Sequence, residues 1–228
     1  MTPSVSVFVQ CPARLRDGFD RCRASIEASD IGTRYVCAMQ QPGATVFEHF
    51  LTLLDTMAEA DTELVVRLED DVDVNVHFVH NVATWPALHD PRFGLGWLFD
   101  PGGRTTTVHD RAYNRPPSHE IWECRHLAYS LAVVIWRKDV PAIRRSCARW
   151  YEQYGGNAQD LALSVAPSSF SKNVVVHAPS LVEHMIDMGS TLQHQHSVVF
   201  ATSRGTFLRD WKRGEPRLDS FGRVVGVQ

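Results

Sequence analysis

The sequence lacks the features that mark membrane-spanning, exported and zinc-binding proteins. No apolar run approaches the roughly 18 residues needed to cross a membrane, and residues 1–5 lack the basic start of a signal peptide. The five cysteines form no C-x-x-C pair, which argues against a zinc finger or a thioredoxin motif. Their odd number and wide spacing favour reduced thiols. We therefore expect a cytoplasmic protein without a membrane span.

A strong excess of one charge is also missing. The 228 residues carry a formal net charge of -3, so nothing demands a nucleic acid or a membrane surface as a partner. Basic residues do gather at 137–149 and at 204–217, where they could line a groove for a polyanion such as DNA. The negative net charge favours solvated basic faces over such a groove.

Glycine-rich phosphate loops are absent as well. No G-x-G-x-x-G follows the first predicted strand, and no P-loop sequence occurs in the chain. Apolar spacing nevertheless predicts alternating strands and helices: strands at 5–9, 34–38 and 64–68, a helix from 15, and a helix that opens with a Thr45–Glu48 capping box. This order predicts an α/β fold with a mixed, mostly parallel sheet flanked by helices.

Four carboxylates, Glu69, Asp70, Asp71 and Asp73, directly follow the third predicted strand. In open α/β sheets, ligands bind at the edge where the parallel strands end. Hard divalent ions prefer carboxylate oxygens and in turn bind phosphates. The stretch therefore predicts a Mg²⁺ or Mn²⁺ site for a diphosphate. The alternative is a solvated acidic turn before a helix N-terminus, where Asp is favoured anyway.

The remainder of the chain predicts one catalytic domain over residues 1–200, with a nucleotide-binding half at 1–75 and an acceptor half at 76–200. A basic tail follows at 201–228. The irregular segment 100–120 is either a lid over a substrate or an ordinary surface loop. The other predicted elements are a helix at 75–85, strands at 93–99, 127–136 and 173–176, a helix capped by Asp139 and ended by Gly155, and a helix at 157–165.

Two stretches resemble GT-A glycosyltransferases. Residues 64–79, with Glu69-Asp70-Asp71, resemble the metal-binding motif of that fold, most closely where it is written Glu-Asp-Asp, as in N-acetylglucosaminyltransferases. Residues 179–184 resemble the family's Pro-x-Leu-Val-Gln-His stretch, with Glu183 where Gln is usual. Residues 129–139 resemble the strand and helix that precede the catalytic acid. The resemblance spans most of residues 5–196, and the basic tail has no counterpart.

The resemblance implies a metal-dependent enzyme that transfers a hexosyl or N-acetylhexosaminyl group from a nucleotide-sugar, with a UDP-sugar as the expected donor. The acceptor would be a hydroxyl of a carbohydrate or glycoconjugate, and a hydroxymethylated DNA base is the less favoured acceptor. Asp71 and His184 would bind Mn²⁺ or Mg²⁺. Asp73 is an alternative ligand, and His194 and His196 are a second source of imidazole.

Further roles follow from the same resemblance. Glu69 and Asp70 would contact the ribose or base, or bind the metal through water. Gln10 and Arg14, in the loop after the first strand, would also contact the nucleotide. An inverting transferase needs a base for the acceptor hydroxyl. Asp160 occupies the place of the family's catalytic acid, although Asp is also favoured in a first helical turn.

Other base candidates and other functions remain open. Glu120 and Glu123, at the end of the long loop, are further candidates, and a retaining enzyme would require no base. A metal-dependent nucleotidyltransferase or phosphohydrolase on a related α/β fold would need carboxylates for a second metal about 4 Å away. The sequence holds no second tight acidic cluster. A non-catalytic sugar-nucleotide-binding module is the other alternative.

Overall fold

The computed structural model describes residues 2–13, 19–99, 122–124, 130–177, 179–185, 207–218 and 224–227. The strands are β1 (Val5–Cys11), β2 (Tyr35–Met39), β3 (Leu64–Glu69), β4 (Val72–Val74), β5 (Phe93–Trp97), β6 (Trp122–Cys124), β7 (Ala132–Trp136), β8 (Asn173–Val176), β9 (Val182–His184), β10 (Pro216–Leu218) and β11 (Val224–Val227). The helices are α1 (Phe19–Ala28), α2 (Val46–Ala58), α3 (Phe78–Ala83), α4 (Val140–Tyr154) and α5 (Gln159–Val165), with short 3₁₀ helices at Pro86–His89, Arg137–Asp139 and Pro167–Phe170.

Seven strands form the main sheet, in the order β2-β1-β3-β7-β5-β8-β6. β1 pairs in parallel with β2 and β3, and β5 pairs in parallel with β8, whereas β7 and β6 run antiparallel to their neighbours. Five of the seven strands therefore share one direction. The predicted fold class, a mixed and mostly parallel sheet flanked by helices, is confirmed.

Local sequence signals account for the first half of this sheet. α2 begins at the predicted capping box, in which Thr45 Oγ1 accepts from the Glu48 amide at 3.1 Å and Glu48 Oε2 accepts from the Thr45 amide at 2.7 Å. Phe47, on the buried face of α2, stacks on Tyr151 of α4 with ring centroids 4.6 Å apart. β3 is buried through Leu68, as a central strand of an α/β sheet should be.

Several local predictions need correction. The helix predicted at 75–85 is confined to Phe78–Ala83, because Asn75 uses its side-chain oxygen to accept from the His77 amide at 2.7 Å and forms a turn. Asp139 makes no capping bond to α4. Its carboxylate accepts from Lys172 Nζ at 2.6 Å instead.

No helix among the described residues is long and apolar enough to cross a membrane.

A second, two-stranded sheet was not predicted from the sequence. β4 and β9 pair antiparallel, with Val72 opposite His184 and Asp73 opposite Glu183. Each strand has only three residues, too few to show a period. This small sheet brings the two stretches that resemble the GT-A family into direct contact.

Gly96, in β5, leaves room for the core around Trp85. A Cβ atom at this position would lie 2.5 Å from Trp85 Cζ3 and 2.6 Å from Val134 Cγ1. We expect Gly96→Ala to lower the free energy of unfolding by about 1–3 kcal/mol, because a packed core cannot yield that space without strain. Urea unfolding monitored by Trp fluorescence measures the effect. An unchanged midpoint would mean that the Trp85 ring moves aside at no cost.

Candidate metal and catalytic site

The predicted acids lie where β3 ends. Asp70 and Asp71 form the turn between β3 and β4, and both are buried, with exposed fractions of 2% and 3%. Because β1 and β3 are parallel, Gln10 lies directly opposite Glu69 in the register. The structure thus brings together the predicted nucleotide contacts Gln10, Glu69 and Asp70 at one edge of the sheet.

Asp71 and His184, the predicted metal ligands, contact each other. Asp71 Oδ2 lies 3.3 Å from His184 Nε2, and the Met185 amide donates to the Asp71 carbonyl at 2.8 Å. Neighbouring ligand atoms of an octahedral cation with bonds of about 2.1 Å lie roughly 3 Å apart, so the pair has nearly the spacing of two adjacent ligands. Carboxylate oxygen and imidazole nitrogen are both donors that Mn²⁺ accepts.

This pair would supply only part of a coordination shell. Among the residues that the structure describes, no three His, Cys, Asp or Glu side chains are close enough together to hold a metal ion. Mg²⁺ is commonly bound through one or two protein carboxylates, with waters and substrate phosphates filling the remaining positions. The donor set at Asp71 and His184 therefore fits an ion that arrives with a diphosphate better than a closed structural site.

Asp73, the alternative ligand, is engaged elsewhere. Its Oδ1 accepts from Ser25 Oγ of α1, and its Oδ2 accepts from Arg209 Nη1 at 3.2 Å. Ser25 Oγ also accepts from the Val74 amide at 2.9 Å, which fixes the hydroxyl between α1 and β4. In this arrangement Asp73 links secondary-structure elements, and a role as a ligand would require it to leave these partners.

Arg67 is a site residue that the sequence analysis missed. Its side chain is buried in β3 and donates to Gln10 Oε1 at 2.6 Å and to Glu69 Oε1 at 2.9 Å. It also donates to Gln159 Oε1 at 2.9 Å and to the carbonyl of Ser130 at 2.5 Å. The sequence did contain one signal for it, a single charged residue inside an aliphatic run. Arg is almost never fully buried unless it is paired, so an arginine in a buried strand indicates buried polar partners.

Three carboxylates interact electrostatically around Arg67. Burial raises the pKa of Glu69 most, and the negative charges of Asp71 and Asp160 raise it further, whereas the Arg67 guanidinium acts to lower it. The net direction is upward. Such crowding of negative charge favours a bound cation, because a cation stabilises the ionised form of every carboxylate near it.

Asp160, the predicted base, lies in the first turn of α5. Its Oδ1 accepts from the Ser130 amide at 3.0 Å, just before β7. Ala158 is the N-cap residue of α5, and Asp160 follows in the first turn, where the helix dipole favours an acidic side chain. The influence of Asp160 on the Glu69 pKa places it in the same electrostatic neighbourhood as the acids at the end of β3.

The remaining candidates cannot be placed in the site. Glu123 lies in β6, where only the backbone is described. The predicted lid segment and four candidate residues lie outside the described residues: 100–120, Arg14, Glu120, His194 and His196.

Residues 208–213 of the predicted basic tail dock against residues 75–81. Asn75 Nδ2 donates to the carbonyls of Leu208 at 2.5 Å and Trp211 at 2.9 Å, and the Val76 amide donates to the carbonyl of Arg209 at 2.8 Å. Trp211 belongs to the main buried apolar cluster. Basic side chains in this segment also have acidic neighbours. Arg209 pairs with Asp73, and Lys212 Nζ lies 3.5 Å from Glu215 Oε1.

His177 connects this docked segment to the end of β8. Its Nδ1 lies 2.7 Å from the Pro179 carbonyl, and its Nε2 lies 3.0 Å from Arg213 Nη2. A carbonyl accepts only from a protonated Nδ1, so Nε2 is the acceptor for the Arg213 guanidinium and the ring is neutral. Burial, and then the positive charge of Arg213, lower the pKa of His177 from 6.5 to about 3.

We expect this histidine to make the protein acid-sensitive. The folded pKa lies below the unfolded value, so the stabilisation is complete above pH 6.5 and is lost as the pH falls from 6.5 towards 3. Between pH 6.5 and about 5 the loss amounts to about 2 kcal/mol. Urea unfolding across this range measures it. His177→Asn, which cannot titrate, should show a shallower decline, and equal slopes would contradict the assignment.

No protein-family model and no curated protein matches the sequence. Among solved structures, the chain is similar to a glycosyltransferase involved in the glycosylation of the major capsid of PBCV-1, with a TM-score of 0.47, 12% identity, and coverage of 75% of this chain and 81% of that chain. It is also similar to an active-site mutant of LgtC, with a TM-score of 0.43, 12% identity, and coverage of 90% and 85%. Both TM-scores are below 0.5, so the inference of function rests on the residues of the site.

Proposed function

We propose that this protein is a metal-dependent glycosyltransferase that moves a hexosyl or N-acetylhexosaminyl group from a nucleotide-sugar to an acceptor hydroxyl. The observation that carries the proposal is the 3.3 Å contact between Asp71 Oδ2 and His184 Nε2. It joins, at the edge of the sheet where β3 ends, the two stretches that resemble GT-A enzymes. A UDP-sugar as donor and a carbohydrate or glycoconjugate as acceptor remain the preferred substrates.

In the proposed reaction, a nucleoside diphosphate leaves with developing negative charge. Asp71 and His184 would hold a Mn²⁺ or Mg²⁺ ion, which would stabilise that charge. Gln10, Glu69 and Asp70 would contact the ribose or base of the donor.

The acceptor hydroxyl must lose a proton as the new glycosidic bond forms. Asp160 would take that proton on its carboxylate, as a general base does in an inverting reaction. The 3.0 Å bond from the Ser130 amide holds Asp160 Oδ1 in place. Asp160 therefore combines a fixed position with the chemistry that the step requires.

The competing enzyme class receives no support from the described residues. A two-metal nucleotidyltransferase or phosphohydrolase needs enough ligands for two ions about 4 Å apart. In the part of the chain that the structure describes, no cluster of three potential ligands occurs at all. A non-catalytic sugar-nucleotide-binding module would have the same site without turnover, and activity measurements distinguish it.

Two measurements test the proposal. Thermal shift with Mn²⁺ and a panel of nucleoside diphosphates should show stabilisation by one of them, UDP first, only when metal is present. Sugar-nucleotide hydrolysis should depend on metal in the same way. Nucleotide binding without hydrolysis or transfer would indicate the binding module, and no response in either assay would overturn the proposal. His184→Ala should remove the metal-dependent part of the shift.

A further inference from the structure

Arg67 uses every hydrogen-bond donor of its guanidinium. Nε donates to Gln10 Oε1 at 2.6 Å. Nη1 donates to Ser130 O at 2.5 Å and to Ser130 Oγ at 2.9 Å. Nη2 donates to Glu69 Oε1 and to Gln159 Oε1, both at 2.9 Å. These are the five N–H groups of an arginine side chain, so the fork geometry is matched completely.

Stability alone does not explain an arginine at this position. Its exposed fraction is 1%, and the ring of Phe50 lies 5.6 Å from its guanidinium carbon. Replacing a buried ion pair with apolar residues of similar volume is often neutral or stabilising. An aliphatic side chain like those of Val66 and Leu68 would fit the strand, but it would leave the polar partners of Arg67 without their donor. The arginine is therefore explained better by what it holds in place.

The partners of Arg67 belong to two sides of the proposed site. Gln10 and Glu69 lie opposite each other at the carboxyl ends of the parallel strands β1 and β3, on the side of the proposed nucleotide. Ser130 precedes β7, and Gln159 is the first residue of α5, directly before Asp160.

The Ser130 backbone continues the connection to Asp160. Its carbonyl accepts from Arg67 Nη1, and its amide donates to Asp160 Oδ1 at 3.0 Å. A chain of hydrogen bonds therefore runs from Glu69 through Arg67 and Ser130 to Asp160.

We propose that Arg67 is a positioning residue that sets the distance between the nucleotide side of the site and Asp160. The inference rests on the proposed function. A base must stay aligned with the reacting atoms, and a misplacement of about 1 Å can reduce the rate about a hundredfold. By holding Glu69 and the backbone of Ser130 with one rigid group, Arg67 would align Asp160 with the bound donor.

Gln159 offers the cleanest test, because it contacts Arg67 and is not one of the proposed nucleotide contacts. It is buried, its Oε1 accepts from Arg67, and its Nε2 donates to the Val46 carbonyl at 3.2 Å. We expect Gln159→Met to lower kcat about tenfold to a hundredfold. The Kd of the Mn²⁺-dependent nucleoside diphosphate should stay within about twofold of wild type, since Gln159 lies outside the nucleotide contacts.

Two further variants check that the effect passes through Arg67. Gln159→Glu keeps an acceptor for the guanidinium and should recover most of the lost kcat. Arg67→Lys keeps the charge but provides only three donors from a single atom, so it cannot bridge both sides. It should lower kcat more than Gln159→Met does. If Arg67→Lys fails to fold, the two Gln159 variants decide the question alone.

The matched control is Thr45→Ala, which removes the capping hydroxyl of α2 next to the Val46 carbonyl that Gln159 contacts. It should lower the melting temperature and leave kcat unchanged. A wild-type kcat in Gln159→Met, or equal losses in Gln159→Met and Gln159→Glu, would overturn the positioning role. Wild-type protein without metal-dependent nucleotide binding and turnover would overturn the proposed function itself, together with this inference.

Discussion

Asp71→Ala is expected to reduce metal-dependent turnover by about a thousandfold or more while the melting temperature stays near that of wild type. The carboxylate would be the principal oxygen ligand of the ion, and removing a group that stabilises the departing charge costs about a hundredfold to a thousandfold even without loss of a metal. Stability should change little, because the lost contact with His184 is offset by relief of repulsion from Glu69.

Steady-state hydrolysis of the sugar-nucleotide over a Mn²⁺ titration measures this effect. Asp55→Ala is the matched control, since it removes a carboxylate that pairs with Arg144 on the surface, with Oδ1 and Nε 2.9 Å apart. It should leave turnover unchanged. Retention of Mn²⁺-dependent activity in Asp71→Ala would exclude Asp71 as the ligand and direct attention to Asp73.

Asp160→Asn is expected to lower kcat about a hundredfold to ten-thousandfold, the contribution typical of a general base. The amide oxygen of Asn can still accept from the Ser130 amide, so the fold and the start of α5 should be preserved. What the substitution removes is the ability to take a proton. The Kd for the donor nucleotide with Mn²⁺ should therefore remain close to that of wild type.

Measuring both kcat and the nucleotide Kd of Asp160→Asn shows whether Asp160 acts as the base. A parallel loss of both would indicate that the variant has disturbed the site as a whole. An unchanged kcat would remove Asp160 from the mechanism, and it would favour either a retaining reaction or a different base, such as Glu120 or Glu123.

The parts of the fold that the sequence predicted well are those with local causes. The capping box at Thr45 and Glu48 lies within one helical turn, and it starts α2 as expected. The aliphatic residues before Glu69 make β3 a buried strand whatever lies next to it. The alternation of the first three strands and two helices along the chain follows from the same patterns, and it predicted the parallel pairing of these strands.

Other site features depended on residues far apart in the chain. Asp71 and His184 are separated by 113 positions, and only the β4–β9 pairing brings them together. The resemblance to a family predicted that both would bind metal, but no local pattern specified their contact. Asp73 shows the reverse case, since its spacing suggested a ligand while Ser25 and Arg209 hold its carboxylate.

By itself, the sequence determined that strands and helices alternate, that carboxylates end a buried strand, and that Thr45 caps α2. The tertiary structure alone decided that β7 inserts antiparallel between β3 and β5, and that Arg67 joins Gln10 to the peptide of Ser130. The physical reason is that secondary-structure propensity and helix capping depend on residues only a few positions apart in the chain. Strand register and the partners of a buried charge depend instead on groups that only folding brings within hydrogen-bond distance.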